Sequence, residues 1–225
     1  MSAVAPPPAR ATRGLIFLCV ALQFLALLAG PAFDAALAMR WGLVPARLTG
    51  SVVGLEDGPA PVLTLFSYMF LHAGLLHLAM NMVFLAWVGR FLEWLLGPWH
   101  LLFLFLLAGL AGGVLQAVAD PASTLPVVGA SGAVSGVFAA YALLFARQGE
   151  APVRLLGVRL TGETVRALRY AALWIGLQLL VGVAFELPGG GPGAGIAIWT
   201  HIGGFLVGLL YAAPWVRGLA RGLED

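Results

Sequence analysis

The chain has 225 residues, 61% of them hydrophobic and only 10% charged, with a formal net charge of +2. An ordinary soluble domain is about a quarter charged, and twelve basic plus ten acidic residues cannot cover a water-facing surface of this size. Together with a mean hydropathy of +0.97, this excludes a soluble enzyme, a disordered chain and a nucleic-acid binder, and leaves an all-α, polytopic integral membrane protein.

Crossing the hydrocarbon takes about 20 residues of helix, and six apolar runs of that order follow one another. Residues 1–13 are rich in Ala and Pro and are expected to form a disordered, dispensable cytoplasmic tail. The first run is Gly14 to Phe33, with Gln23 as its one strongly polar residue. Arg10 and Arg13 before it and Ala-Gly-Pro-Ala near its end also fit a cleaved signal. The run exceeds a signal core and five more follow, so a retained helix is the better reading. The segment from about Asp34 to Pro61 is long for a connection, and its Trp41, Leu43, Val44 and Leu55 suit the membrane interface. The second run, Val62 to Gly89, contains His72, His77 and Asn81; the third is Leu101 to Ala119 and the fourth Val127 to Ala146. An arginine-rich loop, 147–169, reads as an orientation signal and anionic-lipid contact. The fifth run covers about Tyr170 to Leu187, a Gly/Pro linker at 187–195 is expected to be mobile, and the sixth run is Ala194 to Val216. Residues 14–217 would form one six-helix membrane domain and 218–225 a short cytoplasmic tail. Backbone groups in lipid need internal partners, so the runs are helices; no short alternating segments of a barrel are present.

All twelve basic residues are arginine. If six spans alternate, Arg10, Arg13, Arg90, Arg147, Arg154, Arg159, Arg166, Arg169, Arg217 and Arg221 fall on one side and only Arg40 and Arg47 on the other. That bias makes both termini cytoplasmic. The single cysteine, Cys19, excludes an internal disulfide and an all-Cys metal site. His72 and His77 stand five apart, the wrong spacing for one helical metal face. His100 and the seven tryptophans read as interface and packing residues.

Polar side chains at membrane depth are few, and each is a functional candidate: His72, His77, Asn81, Ser131, Ser135 and His201. Ser131 precedes Arg147, and His201 precedes Arg217, by the same sixteen residues, or roughly 24 Å of helix. The two runs share a direction, so Ser131 and His201 are expected at one level, several ångströms below the outer surface. His77 falls near that layer, with Asn81 one turn away on the same face. Gly132 and Gly136 on one run, and Gly204 and Gly208 on the other, allow close approach of the two helices. Plain packing is the alternative: a buried serine ordinarily bonds its own helix, and His77 and Asn81 could simply bridge neighbours.

Chemistry favours a catalytic reading. A serine hydroxyl attacks a carbonyl only when a base takes its proton, and histidine is the usual base near neutral pH. Acyl transfer also needs donors at the developing oxyanion. The Ser131 N–H at a helix start, the Asn81 amide and the His77 ring would supply them. No carboxylate is expected beside His201, since Asp120 and Glu186 fall near span ends. A Ser–His dyad is therefore expected.

These residues resemble the rhomboid family of intramembrane serine proteases. Gly129-Ala130-Ser131-Gly132 looks like the family's G-x-S-G motif at the start of its fourth core helix. His201-Ile202-Gly203-Gly204, followed by Gly208, looks like its sixth-helix histidine motif. His72 to Asn81 looks like its second-helix H-x-x-x-x-H-x-x-x-N signature. The resemblance covers roughly residues 35 to 217. It implies Ser131 as nucleophile, His201 as base, and His77, Asn81 and the Ser131 N–H as oxyanion hole. It also implies a water-filled cavity open to the outer side, a first loop lying sideways in the membrane and a gating fifth span. The reaction would be hydrolysis of peptide bonds in or beside transmembrane segments of single-span or other membrane proteins, with no cofactor and no metal, in a bacterial cytoplasmic membrane. Two positions depart from the family. Ser135 stands where an aromatic often packs on the histidine, so Trp199 or a water would have to hold His201. Arg40-Trp41 reverses a Trp-Arg pair in the first loop. The rivals are a non-catalytic rhomboid-like protein that binds membrane helices, and a small transporter, which would need polar groups through the full depth.

Overall fold

The computed structural model describes residues 9–52, 54, 58–145, 151–155, 157–162, 164–166, 168–170, 172–174, 176 and 197–221, with backbone alone at 155 and 216–221. Nine helices in this part are labelled in chain order: α1 (Arg10–Ala29), α2 (Pro31–Trp41), α3 (Pro45–Thr49), α4 (Pro61–Ser67), α5 (Leu75–Phe84), α6 (Arg90–Leu96), α7 (Pro98–Ala119), α8 (Ser131–Phe145) and α9 (Ile198–Arg221). A single hairpin pairs β1 (Val153–Leu155) with β2 (Val158–Leu160). Helical backbone recurs at 162, 164–166, 168–170, 172–174 and 176. The rest of the expected fifth span and the 187–195 linker lie outside the described residues. Among the described residues, three helices are long and apolar enough to cross a membrane: Arg10–Ala29, Leu75–Leu96 and Pro98–Ala119. Large apolar side chains stand exposed along the bundle, among them Phe17 and Leu28 on α1, Val118 on α7 and Leu210 on α9. Lipid is the surrounding such a surface requires, and the protein is an integral membrane protein.

The second span differs from its sequence reading. The apolar run from Val62 is not one helix: α4 and a 3₁₀ turn at Tyr68–Phe70 end at Leu71, where the backbone becomes extended. Gly74, at φ 93°, then starts a new helix. This helix passes through a π turn at Leu85–Gly89 and continues to Leu96. The spanning segment is therefore Leu75–Leu96, and His72 lies in the connection before it. The α4 segment lies at the edge of the bundle: Leu65, with Tyr68 and Met69 of the following turn, packs inward, while Val62, Leu63 and Phe66 stand exposed.

The first helix starts earlier than expected. Residues Arg10–Arg13 belong to α1 rather than to a disordered tail, and α1 ends at Gly30, where φ is 96° and Pro31 opens α2. The buried Glu93 carboxylate explains this start. Its Oε1 accepts the Ala11 N–H, and its Oε2 accepts the Thr12 N–H and hydroxyl, at 2.7–2.9 Å. Those N–H groups have no intrahelical acceptor, and an anion at a helix N-terminus also meets the positive end of its dipole.

The segment between the first two spans is ordered as α2 and α3, and Arg47 holds it. The Arg47 guanidinium donates to the carbonyl oxygens of Met39, Arg40 and Gly42. Burial shifts this group down from the ordinary arginine value. The reversed Arg40-Trp41 pair therefore does not leave the loop unanchored; the anchor comes from the next helix. Leu43 pairs through both backbone groups with Val127, just ahead of α8, so the loop is tied directly to the segment that carries Ser131.

At the centre, α7, α8 and α9 pack through glycine. A β-carbon at Gly204 or Gly208 would collide with the carbonyl oxygens of Gly132 and Gly136 respectively. One at Gly112 would collide with the Thr200 carbonyl oxygen, and one at Gly203 would stand 2.9 Å from the Gly112 α-carbon. Backbones this close gain dispersion contacts that larger side chains would prevent, which is how membrane helices associate without a hydrophobic drive. The register, Gly132 with Gly204 and Gly136 with Gly208, sets α8 and α9 parallel.

Candidate active site

The candidate residues sit at helix beginnings. His77 is in the first turn of α5, Ser131 opens α8, and His201 is in the first turn of α9. Three N-termini thus converge, and each carries N–H groups without intrahelical acceptors and a positive dipole end. Such a place favours a developing negative charge.

Ser131 Oγ and His201 Nε2 are 2.7 Å apart. His201 is 8% exposed, and its Nδ1 is buried with no hydrogen-bond partner among the described residues. Among the described residues no carboxylate reaches the ring. The parallel glycine register of α8 and α9 produces the contact: Gly132 lies against Thr200, where a β-carbon would stand 3.1 Å from the carbonyl oxygen.

Gly129 has φ +129°, a conformation that disfavours any side chain. A β-carbon there would stand 2.7 Å from His77 Cε1 and 2.9 Å from its Nε2, and 3.6 Å from Ser131 Oγ. The first glycine of the motif therefore gives the His77 ring room beside Ser131, and the second gives α9 room beside α8. The Ala73 N–H donates to His77 Nδ1 at 3.3 Å. A neutral ring held this way carries its proton on Nε2, the nitrogen facing Gly129. The Ser131 N–H, first in its helix, has no intrahelical acceptor.

Asn81 is placed less directly. It is 6% exposed, and its Nδ2 donates to the His77 carbonyl oxygen one turn back, at 3.0 Å. The amide's second N–H remains to serve an oxyanion. His72 approaches from the extended connection, with its Nε2 3.5 Å from the Ala130 nitrogen, and its ring edge meets His77 at 5.3 Å. It lies beside the motif loop rather than among the reacting groups.

Ser135 is fully buried and its role differs from the one expected. It donates to the Ser131 carbonyl oxygen at 2.7 Å and accepts the Trp174 indole N–H at 2.8 Å. Trp174 stacks on Phe138 and meets Phe84 edge-on. Trp199, the expected support for His201, is 42% exposed, and among the described residues no aromatic ring stacks on His201. Sequence reasoning missed Trp174, Arg47 and Glu93, since each acts on residues tens of positions away or through backbone carbonyls that leave no motif.

Comparison with known proteins agrees with the architecture. The family model described as the rhomboid domain matches residues 59–218. Rhomboid-related protein 3 of Homo sapiens is 29% identical over 182 residues, which are 80% of this chain and 43% of that protein. RHOMBOID-like protein 1 of Arabidopsis thaliana is 31% identical over 151 residues, covering 65% of this chain and 32% of that protein. Rhomboid-related protein 1 of Caenorhabditis elegans is 46% identical over a shorter stretch of 85 residues, 36% of this chain and 20% of that protein. The chain spans less than half the length of these curated relatives. With the family model covering most of its length, the chain belongs to the rhomboid family.

Proposed function

We propose that this protein is an intramembrane serine endopeptidase that hydrolyses peptide bonds in or next to transmembrane segments of membrane-protein substrates. The observation that carries the reading is the 2.7 Å approach of Ser131 Oγ to His201 Nε2 at the meeting of three helix N-termini. As His201 Nε2 takes the Ser131 proton, Oγ attacks the scissile carbonyl carbon. The carbonyl oxygen becomes an oxyanion facing the Ser131 N–H, His77 Nε2–H and an Asn81 amide N–H. His201 then gives the proton to the leaving amine as the C–N bond breaks. Water, activated by the same imidazole, hydrolyses the acyl-enzyme and restores the hydroxyl. No cofactor or metal enters these steps. The reading includes six membrane-spanning helices, a 14–217 membrane domain, and cytoplasmic termini in a bacterial inner membrane, supported by the arginine bias.

Fluorophosphonate labelling and peptide cleavage together test it. Purified protein in bilayers should react at Ser131 and cut members of a panel of single-span peptides, with cut sites mapped by mass spectrometry. Ser131→Ala and His201→Ala should lose both signals and keep the wild-type unfolding temperature. A wild-type protein that binds these peptides but neither labels nor cuts them would instead be a non-catalytic helix binder.

A further inference from the structure

The hairpin that follows α8 is two-faced. Its register pairs Val153 with Leu160, Arg154 with Arg159 and Leu155 with Val158. Residues directly opposite in an antiparallel pair share a face, and neighbours along a strand alternate. The two arginines therefore stand side by side on one face, while Val153, Val158 and Leu160 share the other. Neither arginine has a hydrogen-bond or ion-pair partner among the described residues. Val153 is 46% exposed and Val158 61% exposed, so none of the described helices covers the aliphatic face.

In water this arrangement is unfavourable. An isolated two-stranded hairpin is marginal, like charges directly opposite destabilise it, and its aliphatic face is wetted. The place where it emerges removes all three costs. Phe145, the end of α8, packs on Phe91 next to Arg90. The same end of the bundle carries the exposed Trp94 and Trp99 around the turn from α6 to α7, and Trp215 against His100. Exposed tryptophans at one end of a membrane bundle mark the headgroup level. The chain from Phe145 to Ala151 reaches at most about 20 Å, so the hairpin starts within reach of that surface.

We propose that this hairpin is a docking element for anionic phospholipid. Its aliphatic face sinks into the headgroup–acyl boundary, and Arg154 and Arg159 together meet lipid phosphate. Charge complementarity selects the occupant: a paired cationic face with no carboxylate partner among the described residues, beside a leaflet whose phosphates carry the opposite sign. The bilayer then supplies the cover that the protein does not.

The test uses the full chain with Cys19→Ala and Val158→Cys, labelled with an environment-sensitive fluorophore. The protein is reconstituted into vesicles of phosphatidylcholine alone or with phosphatidylglycerol. The label should emit at shorter wavelength, and be quenched by a nitroxide on the acyl chain, in the anionic vesicles. The double variant Arg154→Gln/Arg159→Gln should return it to the phosphatidylcholine signal, with each arginine worth about fivefold in partitioning. Adding inorganic phosphate to phosphatidylcholine vesicles should leave the label in water. Overturning results are equal burial in both lipids, equal water exposure in both, no change in the double variant, or a full response to free phosphate. Unchanged circular dichroism in the double variant establishes that its fold is intact.

Discussion

At the scale of single residues, the site depends on which proton sits on which nitrogen. His201 Nε2 can accept the Ser131 proton only when the ring is neutral. Cleavage should therefore fall as pH drops and His201 becomes protonated, and hold on the alkaline side. A pH profile of kcat/KM in bilayers measures this, and a flat acid limb would remove His201 as base. His77 is held in the opposite sense, with Nδ1 occupied by the Ala73 N–H, so that Nε2 donates. Asn81 contributes one amide N–H, the other being bonded to the His77 carbonyl. Asn81→Ala should lower kcat about 10- to 1,000-fold, as loss of one oxyanion donor does. Unchanged kcat would place the oxyanion elsewhere. Ser135 and Trp174 make a different kind of pair. Ser135→Ala strands the indole N–H in a dry core, at a cost of about 1–3 kcal/mol. The double variant with Trp174→Phe removes donor and acceptor together, so it should lose less stability than the sum of the singles. Thermal unfolding of the four proteins closes that cycle; strict additivity would mean the hydrogen bond contributes nothing.

At the scale of elements, glycines set the distance between α8 and α9, and that distance sets the contact between Ser131 and His201. A side chain at Gly204 meets the Gly132 backbone, not a flexible tip that could move aside. Gly204→Leu should force the helices apart, lower the unfolding temperature and abolish Ser131 labelling. Labelling at the wild-type rate would show that the approach is not needed. The second span shows where an apolar run misleads. Its sequence reads as one long helix from Val62, yet an extended break at Leu71–Gly74 divides it. Hydropathy responds to burial in protein and to exposure to lipid alike, so it cannot separate α4, which packs on the bundle by one face only, from the helix that starts at Leu75. Periodicity is equally blind to the Glu93 cap, which reaches from the end of the second span to the first turn of α1. For the same reason, deleting residues up to 12 is not innocuous, since it removes all three of the donors that Glu93 accepts from.

For the whole molecule, the arginine bias is the basis of the proposed polarity. The helix ends bearing His77, Ser131 and His201 lie away from Arg90 and the Trp94–Trp99 belt. A C-terminal green fluorescent protein fusion expressed in a bacterium should fluoresce, and a C-terminal alkaline phosphatase fusion should be inactive, if the C-terminus is cytoplasmic. The reverse pattern would invert the topology and put the site on the cytoplasmic side.

Composition and the order of polar residues along the chain determined the class of molecule and which side chains are candidates for the reacting groups. A membrane forbids idle polar side chains at depth, so the few that occur stand out without any coordinates. Equal spacing from Arg147 and Arg217 also put Ser131 and His201 at one level. Depth along a helix is a one-dimensional quantity that residue counting can measure. Facing is not. Only the tertiary structure decided that Gly129 clears space for His77, that Ser135 takes its partner from Trp174, and that Arg47 anchors the first loop. Each of these depends on which sides of separate helices meet, and that follows from packing summed over the whole bundle.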